Sequence, residues 1–127
     1  MIEPRKWNLG FIDQGQVNVF ADAALDHNEI HLSKEGAARA GLIDGPIVHG
    51  MLIYGFVERC LAEIEGHQLR QLSLQFVRPL LVGAELQIEA RPLKEEQGEI
   101  LLRVLCRSGE RQLNAIAEAR LAAIPAG

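Results

Sequence analysis

Ile47-Val48-His49-Gly50-Met51-Leu52-Ile53-Tyr54-Gly55-Phe56-Val57-Glu58-Arg59-Cys60-Leu61-Ala62-Glu63-Ile64-Glu65 is the stretch from which the fold is read. Its first half is apolar on nearly every helical face, and charge enters only from Glu58 onward. That pattern predicts a helix over 47–65 that starts buried and surfaces later, with Gly66 as its stop. Beyond Gly66 the period changes to two. Leu72, Leu74 and Phe76 alternate with Ser73 and Gln75 until Pro79, and Leu86, Ile88 and Ala90 alternate with Glu85, Gln87 and Glu89. Gln97-Gly98 turns the chain into an apolar run over 100–106. Ser108-Gly109 turns it into a last strand over 113–124, with Asn114, Glu118 and Arg120 on the more polar side.

Working outward in the other direction, residues 8–20 alternate loosely and end in Val17-Asn18-Val19-Phe20, read as a strand. Residues 21–25 suit a helical turn, and Ser33 caps a short helix that runs through Ala40 to stop at Gly41. One strand, one buried helix and four consecutive antiparallel strands is an α+β order. A long curved sheet wrapped around a single apolar helix satisfies it within one domain, residues 1–127.

Composition narrows the function classes. Hydrophobic content of 48% beside 24% charged residues is that of an ordinary globular protein with a real core. A net charge of −4 argues against nucleic-acid and anionic-membrane surfaces, which call for clustered Lys and Arg. Cys60 and Cys106 stand among apolar neighbours and read as two buried reduced thiols. No CxxC pair and no Cys/His ligand spacing can be written, so neither a metal nor a cofactor is expected. The segment Met1-Ile2-Glu3-Pro4-Arg5-Lys6-Trp7 lacks the apolar core of a signal peptide, and no run approaches the ~18 apolar residues of a membrane span. A cytoplasmic protein with no membrane partner is the expectation.

Two clusters carry chemistry. Asp26-His27-Asn28-Glu29-Ile30-His31 places a carboxylate, an amide and an imidazole close together, and Gly45-Pro46-Ile47-Val48-His49-Gly50-Met51 opens the apolar helix. An imidazole titrates near neutrality and a neighbouring carboxylate can hold the same water, which is general acid–base chemistry. The plainer alternative is that Asp26 caps a turn and His31 is a surface residue. With a helix starting near Ile47, the Gly50 N–H falls in the first turn, where amides lack intrahelical acceptors and the helix dipole is positive. Such a donor stabilises an oxygen that gains negative charge; alternatively Gly50 is small only for packing. His49, taken alone, reads as a hydrogen-bonded core histidine, and His27 and His67 as solvent-exposed. Phe20, Leu25, Met51, Tyr54 and Phe76 are candidate walls of an apolar pocket, each equally suited to ordinary core.

These clusters, together with Leu74-Gln75-Phe76-Val77-Arg78-Pro79 and Val82-Gly83-Ala84-Glu85-Leu86, resemble the MaoC-like (R)-specific enoyl-CoA hydratases. The family's motif reads roughly Asp-x-Asn-Pro-(aliphatic)-His, followed by Pro-Ile-(Val/Ala)-His-Gly-Met. The resemblance runs from about Val17 onward. It implies a hotdog fold and a homodimer, or dimer of dimers, whose sheets join edge to edge. It also implies an acyl-CoA or acyl-carrier thioester as substrate, hydrated reversibly to the (3R)-hydroxyacyl thioester. Asp26 and His31 would be the catalytic dyad and Asn28 their support, with the Gly50 amide binding the thioester oxygen. His49, Met51, Tyr54 and Phe76 are then the substrate-binding candidates, and Lys34, Arg39 and Arg78 the cations that would meet a CoA phosphate. Two positions depart from the pattern. Glu29 replaces the usual proline, which is expected to loosen the turn and add a charge beside the site, and Leu25 replaces a glycine. Rival readings are an acyl-CoA thioesterase, with Glu58 as its only helix carboxylate candidate, and a non-catalytic acyl-thioester-binding module.

Overall fold

The computed structural model describes residues 2–125, and its elements follow the order β1 (Arg5–Phe11), α1 (Gln14–Ala24), a 3₁₀ turn (Glu29–His31), α2 (Lys34–Arg39), α3 (Gly50–Ala62), β2 (His67–Phe76), β3 (Glu85–Glu96), β4 (Glu99–Ser108) and β5 (Gln112–Ala123). The five strands form one antiparallel sheet in the order β1-β3-β4-β5-β2. α3 packs on its inner face: Ile53, Val57, Cys60 and Leu61 are buried with Leu86, Ile88, Leu102, Val104 and the alanines 115, 117 and 119 of β5. The alanines of β5 face this core, and a fully buried side chain such as Val57 contributes about 1.5–3 kcal/mol. This is the α+β hotdog arrangement, one helix inside one curved sheet.

The N-terminal third differs from the sequence reading. The stretch Val17-Asn18-Val19-Phe20 is not a strand but the middle of α1. Asp13 and Gln16 form a reciprocal capping box, Asp13 Oδ1 accepting from Gln16 N and Gln16 Oε1 from Asp13 N, both at 2.9 Å. That start signal, with Val17 and Ala21 buried one turn apart, outweighs the extended preference of two valines. The first strand is β1 instead, with Trp7 paired to Ile88 on the inner side. The predicted turn over 21–25 is the end of α1, closed by Leu25 in the left-handed region at φ 54°.

α3 also starts later than expected. Ile47 bridges to Leu81 and the Val48 N–H donates to Leu80 O at 2.8 Å, so both residues are extended and the helix begins at Gly50. It ends at Ala62, with Glu63 as its cap and Gly66 at φ 74° in the turn beyond. Ser33 caps α2 as expected, its Oγ accepting from Gly36 N at 2.9 Å. On β5, Asn114 is 1% exposed rather than on a polar face. The register slips between Cys106 and Arg107, pairing Cys106 with Ala115 and Arg107 with Leu113, and this bulge turns Asn114 inward. Among the described residues no helix is long and apolar enough to cross a membrane.

Candidate active site

His31 is held by three elements. It closes the 3₁₀ turn that Asn28 initiates, where Asn28 Oδ1 accepts from Ile30 N at 3.1 Å and Asn28 O from His31 N at 3.1 Å. Gln14 of α1 donates to His31 O at 2.8 Å. The ring then reaches the strand-like segment before α3, with Nδ1 2.7 Å from Ile47 O. A carbonyl only accepts, so Nδ1 is the donor, and in the neutral ring Nε2 is the acceptor. The imidazole is 8% exposed, oriented and still chemically open.

Asp26 follows the left-handed Leu25, and its N–H returns to Ala21 O at 2.9 Å to finish α1. Its Oδ1 accepts from Asn28 N at 3.3 Å, and the carboxylate is half exposed. A carboxylate oxygen of Asp26, a ring nitrogen of His31 and a ring nitrogen of His49 all lie within 4.8 Å of one another. One water bonded at ~2.8 Å to each of two groups spans such a gap. Asp26 and His31 are therefore brought together, and Asn28 shapes the turn between them.

Those three side chains are the one group of possible metal ligands of this kind among the described residues. The rings of His31 and His49 stack with centroids 3.7 Å apart at 26°. His31 Nδ1 and His49 Nε2 both donate to carbonyl oxygens, so each ring has only its other nitrogen to offer as a ligand.

Gly50 is the first residue of α3, and its N–H has no acceptor among the described residues. The amide is a free donor at a helix N-terminus, and a Cβ at Gly50 would lie 2.8 Å from Phe76 Cζ, so any side chain there would have to push the Phe76 ring aside. Around it opens a cleft of about 370 Å³, lined chiefly by Ile47, Ile53, Phe76, Val77, Arg78 and Leu80.

The remaining candidates separate. Phe76, half exposed, lines this cleft over Gly50. Met51 is 64% exposed on the next helical position. Tyr54 directs its hydroxyl to Leu72 O at 3.4 Å, toward β2 and not the cleft. Leu25 points to solvent at 85% exposure and walls nothing within the chain. His49, sought as a substrate contact, is 2% exposed and stacked on His31. Of the cations, Arg39 is committed to Glu29 through bonds of 2.8–3.2 Å, Lys34 is exposed on α2, and Arg78 lies at the cleft. The Arg39 bonds also correct the expectation for Glu29, whose charge is paired with the guanidinium, which holds its carboxyl below the usual carboxylate range. Glu58 is exposed on the second half of α3. His27 pairs with Asp22 at 2.8 Å in solvent.

Two positioning residues escape a sequence reading. Gln14 is one. Asn114 is the other: Nδ2 donates to Pro79 O at 3.1 Å, and its own carbonyl accepts from Val77 N at 2.8 Å and Arg78 N at 3.2 Å, so it fastens the cleft wall that follows β2. A polar residue between Leu113 and Ala115 in a largely apolar strand is the signal it left.

A carboxylate and an oriented imidazole beside the N-terminus of the one helix inside a curved sheet define a hotdog-type domain with acid–base groups at its helix entrance. The family model described as MaoC like domain matches residues 4–104, and the chain belongs to that family of dehydratase and hydratase domains. The fold is similar to that of the (R)-hydratase from A. caviae involved in PHA biosynthesis, with 26% identity and a TM-score of 0.84 over 96% of this chain and 95% of that one. It is also similar to an R-hydratase from Pseudomonas aeruginosa, with 20% identity and a TM-score of 0.87 over 98% of this chain and 81% of that one. In sequence it is 34% identical over 95 residues, 72% of this chain, to the fatty acid synthase beta subunit TOXC of Cochliobolus carbonum. It is 28% identical over 90 residues, 68% of this chain, to the mitochondrial 3-hydroxyacyl-[acyl-carrier-protein] dehydratase of Arabidopsis thaliana. The matches span 4% and 54% of those two proteins' lengths.

Proposed function

We propose that this protein is a hydro-lyase that reversibly adds water to a trans-2-enoyl thioester, an enoyl-CoA or its carrier-bound equivalent, giving the (3R)-hydroxyacyl thioester. The observation that carries the proposal is the Asp26 carboxylate within 4.8 Å of a ring nitrogen of His31, whose tautomer is fixed by Ile47 O. One water sits between the two groups. His31 Nε2 takes one of its protons while the Asp26 carboxylate holds the other, the water oxygen bonds to C3, and the proton passes from Nε2 to C2. Negative charge that gathers on the thioester oxygen meets the unpaired Gly50 N–H, an interaction worth about 3 kcal/mol where such donors have been removed. The acyl chain lies along the cleft under Phe76.

The names of the relatives, (R)-hydratases and a 3-hydroxyacyl dehydratase, support the same chemistry. A homodimer is part of the proposal: β2 pairs only with β5 and leaves its other edge bare among the described residues, next to the exposed Phe76 and Val77. An assay over enoyl-CoAs of graded length tests the activity. It predicts loss of the enoyl absorbance, no release of free thiol, and a single (3R) product by chiral chromatography. Thiol release in place of hydration would make the protein a thioesterase, and binding without turnover a non-catalytic module.

A further inference from the structure

We propose that His49 is a positioning residue that locks the Asp26 carbonyl to the start of α3 and sets the geometry of the dyad, a role that rests on the hydration reading but is carried by its own contacts. His49 is the N-cap residue of α3, at φ −57° and ψ 135°, yet its side chain makes no capping hydrogen bond. Ser, Thr, Asp or Asn would stabilise the helix there. The imidazole is turned instead toward the loop that carries the dyad. Its Nε2 donates to Asp26 O at 3.1 Å, which fixes the tautomer, and the same nitrogen is 4.0 Å from the Asp26 carboxylate.

The ring is wedged as well as bonded. One face stacks on His31 at 3.7 Å, and Phe20 of α1 approaches at 4.9 Å and 58°. Nδ1 is buried with no hydrogen-bond partner. A buried side chain that forgoes a cap and leaves one nitrogen unpaired is a poor choice for stability alone. What it gains is one side chain joining two stretches that the sequence keeps apart: α1 with the Asp26–His31 loop that follows it, and the N-cap of α3. The spacing between carboxylate and imidazole, and between both and the Gly50 amide, is fixed through that one ring. Displacements near 1 Å in such an arrangement cost up to ~10²-fold in rate.

Three variants separate donor, ring and cap. H49N supplies a good N-cap but cannot reach Asp26 O, H49F keeps a ring without a donor, and H49Q restores a donor near the Nε2 position. Turnover of the enoyl-CoA that wild type hydrates best is measured beside the melting temperature and the hydrogen exchange of the His31 amide, which is bonded to Asn28 O. H49N is expected to melt no lower than wild type and to lose about 10- to 100-fold in kcat with KM within about threefold, while its His31 amide exchanges faster. H49F is expected to share the kcat loss, and H49Q to recover most of kcat and the protection. Wild-type kcat in folded H49N, or an unchanged His31 exchange rate, overturns the proposal. If wild type hydrates no enoyl thioester, the functional reading fails, and the exchange comparison alone still decides whether His49 positions the loop.

Discussion

Two clusters of charged and polar side chains, on opposite sides of the sheet, are built by opposite rules. On the outer face, the Glu89 carboxylate of β3 is 13% exposed and accepts from Arg91 at 3.0 Å and Arg107 at 3.1 Å, with Lys6 at 4.0 Å. Burial there pushes its pKa up, but the two arginine bonds outweigh burial and hold the carboxyl below its usual range. At the N-terminus of α3, the Asp26 carboxylate is half exposed and accepts one backbone amide, and His31 Nε2 has no hydrogen-bond partner among the described residues. One cluster spends its hydrogen-bonding capacity on itself. The other is held rigidly by backbone contacts and leaves its reactive atoms free, which is what a site must do to act on something else.

Removing charge from each cluster is the sharpest way to break this contrast. D26N is expected to lose about 10³-fold in kcat/KM for enoyl-CoA hydration with its melting temperature nearly unchanged. E89Q is expected to do the reverse, keeping full activity while losing about 1 kcal/mol in urea unfolding, a value kept small because the group is partly solvated. The pH dependence has a definite sign. A carboxyl whose folded pKa is depressed contributes above its unfolded value near 4.5 and loses that contribution as pH falls through the lower folded value. Wild type therefore loses the Glu89 contribution below pH ~4.5, and E89Q shows a flatter acid limb.

Asn114 is buried beside the cleft, its Nδ2 bonded to Pro79 O and its Oδ1 without a partner among the described residues. N114L removes the donor to Pro79 O, and a cost of about 2 kcal/mol is expected, with a lower affinity for enoyl-CoA as the cleft wall loosens. Equal stability would show that the bulge holds without its side chain. The smallest effect is expected at Leu25, whose φ of 54° is unfavourable for any residue with a Cβ. L25G should raise stability by roughly 0.5–1 kcal/mol, because relief of that strain exceeds the added freedom of the unfolded chain. It should leave activity intact, since Leu25 is exposed.

The same contrast explains how much the sequence disclosed. The interior of α3 and four of the strands were legible because their periods come from burial on one helix and one sheet face. The start of α3 was not, since apolar Ile47 and Val48 suit helix or strand equally and the choice is made by Leu80 and Leu81, far along the chain. α1 was misread because its valines favour strands, while the capping box that decides it depends on two polar side chains. Asp26, Asn28 and His31 were legible because the motif is local. Gln14 and Asn114 were not, because a long-range contact and a register slip bring them to the site. The glycine replaced by Leu25 has a plain physical basis in the left-handed turn, and the charge of Glu29 has one in Arg39.

The central claim, that Asp26 and His31 act on one water as a unit, is tested most directly by a double-mutant cycle. The kcat/KM for hydration of the best enoyl-CoA is compared among wild type, D26N, H31Q and the double variant, all shown to be folded. Each single variant is expected to lose about 10³-fold and the double no more than the worse single, as for groups that work on a shared atom. Losses that multiply in the double variant, or a single variant that keeps wild-type activity, would contradict the account.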